Sequence, residues 1–179
     1  MENTLVYYRV AFDVHYYEDF AIVSYVLFED EQSSEPFKVG QISCDSVAPY
    51  ISGQFYKREL PCLLKAIEDI EVPIGLIYID ANVWLGKDRK GLGKYLFDSI
   101  GQNIPVIGVS KSCFNTDTEL IRPVYRKSSK KPLYVSAIGI ELENACKKVQ
   151  TMNGEFRLPK MIKLADSICR GTIANNGLE

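Results

Sequence analysis

The chain has 179 residues and a formal net charge of −2 at pH 7, which fits one domain with a sizeable core and argues against a generic basic nucleic-acid coat. Its one histidine, His15, excludes a two-histidine zinc site within the chain and leaves oxygen ligands for any metal. Its five cysteines form no CxxC pair, which argues against a disulfide framework or zinc ribbon and favours a reducing, cytoplasmic setting. The sequence shows no secretory signal and no apolar run that could span a membrane.

The predicted elements follow a recognisable order. Runs rich in β-branched and aromatic residues predict strands, and apolar residues at helical spacing predict helices. Strands are predicted at residues 4–14, 20–28, 37–44, 74–79, 104–109 and 131–136, and helices at 56–70, 92–100, 140–152 and 159–170. This order predicts an α/β, ribonuclease H-like mixed sheet, with three antiparallel strands and then parallel strands joined by helical crossovers. We expect one domain over residues 1–179, with frayed termini.

Four acids stand out in this order. Asp80 ends a wholly apolar run, and Asp13 lies inside the apolar first strand, where an unpaired charge is expensive. Glu59 lies at the start of the first helix, and Asp166 lies on the last helix. In a ribonuclease H-like sheet the first and fourth strands are neighbours, so Asp13 and Asp80 can face each other. The four acids therefore predict a divalent-metal site for Mg²⁺, with Mn²⁺ as a substitute.

Seven motifs in order resemble those of the endonuclease V family, and they run from the first strand to about Gly171. They are FDV (12–14), PYISG (49–53) with KRE (57–59), ID (79–80), RKGLG (89–93), PVIGVSKS (105–112), PLYVS (132–136), and FRLP (156–159) with LAD (164–166). The resemblance implies a magnesium-dependent endonuclease that hydrolyses a phosphodiester near a deaminated purine, inosine or deoxyinosine, in DNA or RNA. It also implies nucleic acid as the partner, and we expect a monomer without membrane contact.

The resemblance also implies roles for the charged residues. Asp13, Glu59 and Asp80 match the metal-binding core, and Asp166 matches the additional acid on the last helix. Lys111 matches the lysine near the scissile phosphate, where an ammonium stabilises developing negative charge.

Further matches concern the substrate base. Tyr50, Ile51, Ser52 and Gly53 match the wedge loop that fills the gap left by an extruded base. Gly53, Ala81 and Val83 match positions near the base pocket, where backbone groups are expected to contact the base.

The chain departs from the family pattern at several substrate-facing positions. Gly86 stands where the family has a loop histidine, and AIG (137–139) stands where it has PGH. Ser52 replaces the wedge proline, and Ala81 replaces a glycine. Two alternatives therefore stay open: a degenerate module that binds nucleic acid without cutting it, and a ribonuclease H-like nuclease without inosine preference. The choice between DNA and RNA also stays open.

Three other features allow two interpretations each. His15 is expected on the same face of its strand as Asp13, where it is either metal-adjacent or structural. Trp84 and Leu85 either stack on a base or pack within the protein. Five basic residues either contact the phosphate backbone or form a solvated loop: Arg122, Arg126, Lys127, Lys130 and Lys131.

Overall fold

The computed structural model describes residues 5–45, 48–114, 117 and 119–172. Its strands are β1 (Tyr8–Tyr16), β2 (Ala21–Phe28), β3 (Lys38–Cys44), β4 (Ile74–Ile79), β5 (Trp84–Gly86), β6 (Arg89–Lys90), β7 (Val106–Ser110), β8 (Arg122–Val124) and β9 (Leu133–Ile138). Its helices are α1 (Phe55–Glu68), α2 (Leu92–Ser99), α3 (Leu142–Thr151) and α4 (Lys160–Cys169).

Seven of these strands form a mixed sheet in the order β3-β2-β1-β4-β7-β9-β8. The pairs β1–β2 and β2–β3 are antiparallel, and the pairs β1–β4 and β4–β7 are parallel. The predicted neighbourhood of the first and fourth strands is therefore confirmed. The sheet then continues beyond β7 with β9 and β8, both antiparallel to their neighbours.

Helices cover both faces of the sheet, because each central strand is apolar on both sides. Val10 and Phe12 of β1 pack with residues of α1 and α2, such as Leu63 and Leu96. Between them, Ala11 points to the opposite face, where the core includes residues of α3 and α4. The alternation follows from the two-residue repeat of a strand. Side chains near the end of β1 can therefore face either helical layer.

Three short strands lie outside the predicted elements. β5 and β6 form a two-stranded hairpin directly after the Asp80 loop. β8 is three residues long and contains Pro123, which cannot donate a ladder hydrogen bond, so its place at the sheet edge is the one such a strand tolerates. Strands this short carry too little alternation to be read from sequence.

Glu31 anchors the turn after β2 and is a nearly buried acid with several partners. Its Oε1 accepts hydrogen bonds from the Tyr78 hydroxyl at 2.9 Å and from Lys148 Nζ at 3.1 Å. Arg9 Nε lies 3.5 Å from the same oxygen. Burial acts to raise the pKa of Glu31, but the bonds from Lys148 and Tyr78 outweigh it, and the pKa is lowered. This acid stabilises the fold as a charged group.

Among the described residues, no helix has the length and apolar character needed to cross a membrane.

Candidate active site

Asp13 and Asp80 are neighbours where β4 ends, and Asp13 lies within the parallel strand β1, which continues to Tyr16. The β1–β4 register pairs Phe12 with Ile79, so the two aspartates occupy the next position along each strand. The edge of the sheet where β4 ends is the one at which α/β sheets usually hold ligands. Asp13 lies opposite Ser24 on β2, and its Oδ1 accepts a hydrogen bond from the Val14 N–H at 2.8 Å.

Glu59 approaches this edge from α1. The sequence placed Glu59 at the start of the first helix, where the helix dipole favours an acid. The helix begins at Phe55, however, so Glu59 lies one turn inside it and is not a first-turn acid. Its side chain is buried, 8% exposed. The Tyr16 hydroxyl lies beside its carboxylate, and in the described part of the chain this hydroxyl has no partner of ordinary hydrogen-bond geometry.

The three carboxylates are poorly compensated. Burial and the charge of Asp80 raise the pKa of Asp13 to about 7. Burial, Asp13 and Asp80 raise the pKa of Glu59 well above its usual value. The pKa of Asp80 is raised by burial although Lys111 Nζ lies 3.8 Å from its Oδ2 and acts in the opposite direction. Like charges held together in this way call for a cation.

Asp166, on α4, is in a different electrostatic state. Its Oδ2 accepts a hydrogen bond from Lys163 Nζ at 2.7 Å, and its Oδ1 accepts one from Arg170 Nε at 2.5 Å. Burial acts to raise the pKa of Asp166, but these two bonds lower it to about 2. Both of its oxygens thus already have cationic partners, unlike those of Asp13. The structure brings Asp166 near the other acids but as a paired group.

A metal ion fits the chemistry of the three poorly compensated acids. Among the described residues, no three carboxylate, imidazole or thiol groups form a ready-made ligand set. Mg²⁺, however, is usually held by one or two carboxylates together with waters and substrate phosphates. The mutual repulsion of Asp13, Asp80 and Glu59 is what such an ion would relieve.

A pocket of about 460 Å³ opens beside Asp80. Its walls include the predicted wedge residues Tyr50, Ser52 and Gly53 and the predicted base-pocket residue Ala81. Ile51 lies in the same turn, which the Gln54 N–H closes by a bond to the Ile51 carbonyl oxygen at 3.0 Å. Further wall residues were not foreseen from the sequence: Phe55, Tyr56, Asn82, Arg89, Lys90, Gly91, Leu92, Ser110 and Phe114.

The wedge loop is exposed and apolar. Tyr50 is 67% exposed and Ile51 49% exposed. Gly53 has φ +78° with open space around the position of a Cβ, so its backbone conformation, rather than crowding, favours glycine. An exposed tyrosine at a pocket rim can stack on a base without losing packing elsewhere.

The loop after Asp80 is held by close backbone contacts. The Val83 N–H donates to Ser136 Oγ at 2.9 Å, and the Val83 carbonyl oxygen accepts from the Gly91 N–H at 2.8 Å. A Cβ on Gly108 would lie 2.3 Å from the Ala81 carbonyl oxygen, so this approach requires glycine. Val83 itself is fully buried, and the structure places both of its backbone polar groups in bonds within the protein.

Asn82 is the polar group of this loop that sequence reasoning missed. Its Oδ1 is buried and has no hydrogen-bond partner in the described part of the chain. Asn82 is one of the residues that line the pocket beside Asp80. A buried, unpaired amide oxygen is costly, and one on a residue of a pocket wall is a candidate ligand contact. Its position two residues after Asp80 was the signal available in the sequence.

The structure shows the surroundings of His15, Trp84 and Leu85, for which the sequence allowed two interpretations each. His15 packs edge-on against Tyr17, with ring centroids 4.9 Å apart. Trp84 Nε1 donates to the Ala137 carbonyl oxygen at 3.3 Å, which anchors this ring to β9, whereas Leu85 lines the pocket.

Neither interpretation of the basic run holds for Arg126, which is completely buried. Its guanidinium donates to backbone carbonyl oxygens and serves the fold. The structure leaves Arg122, Lys127, Lys130 and Lys131 exposed at the surface.

Comparisons with known proteins identify the family of the chain. A family model described as Endonuclease V matches residues 2–167. Endonuclease V of Streptomyces coelicolor is 31% identical over 160 residues, which cover 78% of this chain and 66% of that protein. Endonuclease V of Rippkaea orientalis is 30% identical over 158 residues, 75% of this chain and 68% of that protein. The chain thus spans about two thirds of the length of these relatives.

Solved structures show the same fold. Endonuclease V of Streptomyces avermitilis has a TM-score of 0.81 at 24% identity, covering 92% of this chain and 80% of that one. Endonuclease V of Ciona intestinalis, in complex with a 24mer DNA containing an inosine followed by a ribo-adenosine, has a TM-score of 0.77 at 21% identity, covering 93% and 86%. The ribonuclease H-like prediction is confirmed, and the chain belongs to the endonuclease V family.

Proposed function

We propose that this protein is a metal-dependent endonuclease that hydrolyses a phosphodiester near an inosine in DNA or RNA. The observation that carries the proposal is the group of three poorly compensated acids, Asp13, Glu59 and Asp80, at the edge of an aromatic-lined pocket. Acids with raised pKa values beside a cleft are typical of functional sites. Family membership and the inosine-containing DNA in the Ciona intestinalis structure support the substrate.

Asp13, Asp80 and Glu59 would hold Mg²⁺, or Mn²⁺ in its place. When bound, the ion would supply Lewis-acid stabilisation of the phosphate and a more acidic water. Asp166 would contribute mainly by fixing Lys163 and Arg170 next to the acids, since both of its oxygens are bonded to them. Arg170 was not foreseen as a site residue, and its charge acts to lower the pKa of Asp80, which burial nevertheless raises.

Lys111 would stabilise the negative charge that develops on the phosphate. Its ammonium is half-exposed and 3.8 Å from Asp80, so it lies at the boundary between the acids and solvent. Removing one preorganised hydrogen-bond donor from an oxyanion hole costs about 10²–10³ in kcat in other enzymes, and Lys111 would act on developing charge in the same way. We therefore expect Lys111→Ala to lower kcat by roughly that factor, measured under metal saturation.

The pocket would take the base after its extrusion from the strand. Phe55, Tyr56 and Phe114 offer apolar and aromatic surface, and Tyr50 would fill the gap left in the stack. The unpaired Oδ1 of Asn82 would accept a hydrogen bond from the N–H on the lactam edge of hypoxanthine.

The wedge role predicts a specific kinetic signature for Tyr50→Ala. Stacking of a base on an aromatic ring is worth about 1–3 kcal/mol. The variant is expected to raise KM on an inosine strand at an unchanged melting temperature, because Tyr50 is largely exposed. An unchanged KM would remove Tyr50 from the proposal.

The proposal is tested with an end-labelled strand that carries one inosine, and with the same strand carrying adenine at that position. Wild-type protein with Mg²⁺ or Mn²⁺ is expected to cut the first strand near the inosine and to leave the second. Asp80→Asn is expected to lose about 10³-fold in rate, because the bound metal supplies several kcal/mol of transition-state stabilisation. No cleavage by the wild type, or equal cleavage by Asp80→Asn, would contradict the proposal.

A second candidate is a related nuclease without inosine preference. The hairpin β5–β6 contains Gly86, where the family has its loop histidine, and Trp84 of this hairpin bonds to Ala137, the first residue of the other departure. The two departures therefore form one altered region next to the pocket. Equal metal-dependent rates on the inosine and adenine strands would favour this candidate. Metal-independent binding without turnover would favour a non-cleaving module.

A further inference from the structure

Lys111 lies outside the ladder of its own strand, and the local bonds that span it join Ser110 Oγ to the backbone of Ser112. The last paired position of β7 is Ser110, opposite Tyr134, so Lys111 lies just beyond the ladder. Its side chain is 46% exposed, and a lysine side chain has many rotamers. The place of its ammonium beside Asp80 therefore depends on how firmly the Lys111 backbone is fixed.

Arg157 supplies this fixation from the segment between α3 and α4. Its Nη2 donates to the Lys111 carbonyl oxygen at 2.6 Å and to the Pro132 carbonyl oxygen at 2.5 Å. Its Nε donates to Pro132 as well, at 3.1 Å. One planar guanidinium thus ties the chain after β7 to the chain before β9, a geometry that the single nitrogen of a lysine cannot reproduce.

Arg157 is in turn held by the buried Arg126. Arg126 Nε donates to the Arg157 carbonyl oxygen at 3.1 Å, and its Nη2 donates to the Gly154 carbonyl oxygen at 3.2 Å. Its Nη1 donates to the carbonyl oxygens of Val149 at 2.5 Å and Gln150 at 2.9 Å, at the end of α3. Because these acceptors are all neutral carbonyl groups, the two arginines set geometry rather than cancel charge.

We infer that Arg157 is a positioning residue for the reaction, which acts by holding Lys111 where its ammonium meets the phosphate beside Asp80. The inference rests on the proposed function. It gives the arginine of the FRLP motif a role, and the hydrogen bonds of Arg157 explain that role. Arg157 does not need to touch the substrate for this task, since both of its acceptors are backbone atoms of the protein.

The test is a double-mutant cycle in kcat on the labelled inosine strand, with Arg157→Ala and Lys111→Ala singly and together. Misplacement of a reacting group by about 1 Å costs up to about 10²-fold, so Arg157→Ala is expected to lower kcat by about 10- to 100-fold with little change in KM. In the Lys111→Ala background the same change is expected to cost less than about 2-fold, because the group it positions is absent. Arg157→Lys is expected to recover part of the loss.

Arg9→Ala is the matched control. The Arg9 guanidinium also donates to a backbone carbonyl oxygen, that of Glu29 at 2.7 Å, and its contacts lie at the opposite end of β1 from Asp13. It is expected to leave kcat within about 2-fold when all variants are assayed well below their melting temperatures.

An equal loss from Arg157→Ala in both backgrounds would show a merely structural role and overturn the inference. Full activity of Arg157→Ala, or of Lys111→Ala, would overturn it as well. The proposed function fails by a different result, namely no cleavage of the inosine strand by the wild type.

Discussion

Glu31 and the neighbouring acids Asp13 and Asp80 lie toward opposite ends of β1. At one end, Glu31 receives hydrogen bonds from Tyr78 and Lys148 with Arg9 nearby, and its pKa is lowered. At the other end, Asp13 has a pKa raised to about 7 by burial and by its neighbour Asp80. Both regions place carboxylates in partly buried positions, yet the bonds to Glu31 outweigh its burial, whereas Lys111, 3.8 Å from Asp80, does not outweigh the burial of Asp80.

The difference separates an acid that stabilises the fold from acids that serve a ligand. A compensated buried carboxylate adds to stability, whereas uncompensated neighbours cost stability and persist where function requires them. Asp166 is intermediate, since it lies near Asp13 but is paired with Lys163 and Arg170. Each of the following variants tests which side of this comparison a residue belongs to.

The largest expected contrast is in cleavage. Asp13→Asn is expected to lower the rate on an inosine strand by about 10³-fold, because the bound metal supplies several kcal/mol to the transition state. Glu31→Gln is expected to stay within about 2-fold of the wild type at a temperature where both are folded. Comparable losses in the two variants would erase the distinction between the regions.

Glu31→Gln is expected to lower the stability of the protein although it leaves the cleavage rate nearly unchanged. Replacement by Gln removes hydrogen bonds to a charged acceptor and is expected to destabilise the protein by about 2 kcal/mol, or about 4–8 °C in melting temperature. Because the folded pKa of Glu31 is lowered, its contribution is present above the unfolded value of about 4.3 and is lost as the pH falls through the folded value. Thermal melts at pH 7 and below pH 4 check this, and a wild type-like melt of Glu31→Gln at pH 7 would contradict it.

Asp13→Asn should stabilise the metal-free protein. Its folded pKa, raised to about 7, means that ionisation costs folding free energy, and that this cost grows as the pH rises from about 4 to 7. The variant is therefore expected to melt at least about 2 °C above the wild type at pH 7.5 in a chelating buffer. The two should converge near pH 4. A lower melting temperature at pH 7.5 would mean that Asp13 is compensated after all.

The smallest change is expected from Asp166→Asn. Its two cationic partners, Lys163 and Arg170, have half-exposed side chains, and such ion pairs contribute about 0–1 kcal/mol. The variant should therefore melt close to the wild type at every pH above its lowered pKa of about 2. A rise in melting temperature as large as that of Asp13→Asn would place Asp166 with the uncompensated acids.

The sequence predicted the fold class and the neighbouring places of Asp13 and Asp80, because a carboxylate beside an apolar strand leaves few alternatives, while their metal role stays a prediction. It was insufficient for partners set by tertiary contacts. Nothing local shows that Arg126 is buried among carbonyl oxygens of residues 149–157, or that Asp166 is paired. The hairpin β5–β6 was also missed, because its strands are shorter than the period that sequence patterns need.

The most direct test of the comparison is Mn²⁺ binding, measured by calorimetry at pH 7.5, to the wild type, Asp13→Asn, Asp80→Asn and Glu31→Gln. We expect the wild type and Glu31→Gln to bind the ion with similar affinity, and both aspartate variants to lose at least about tenfold. The same affinity in all four proteins would contradict the account, because the uncompensated acids would then not be the metal site.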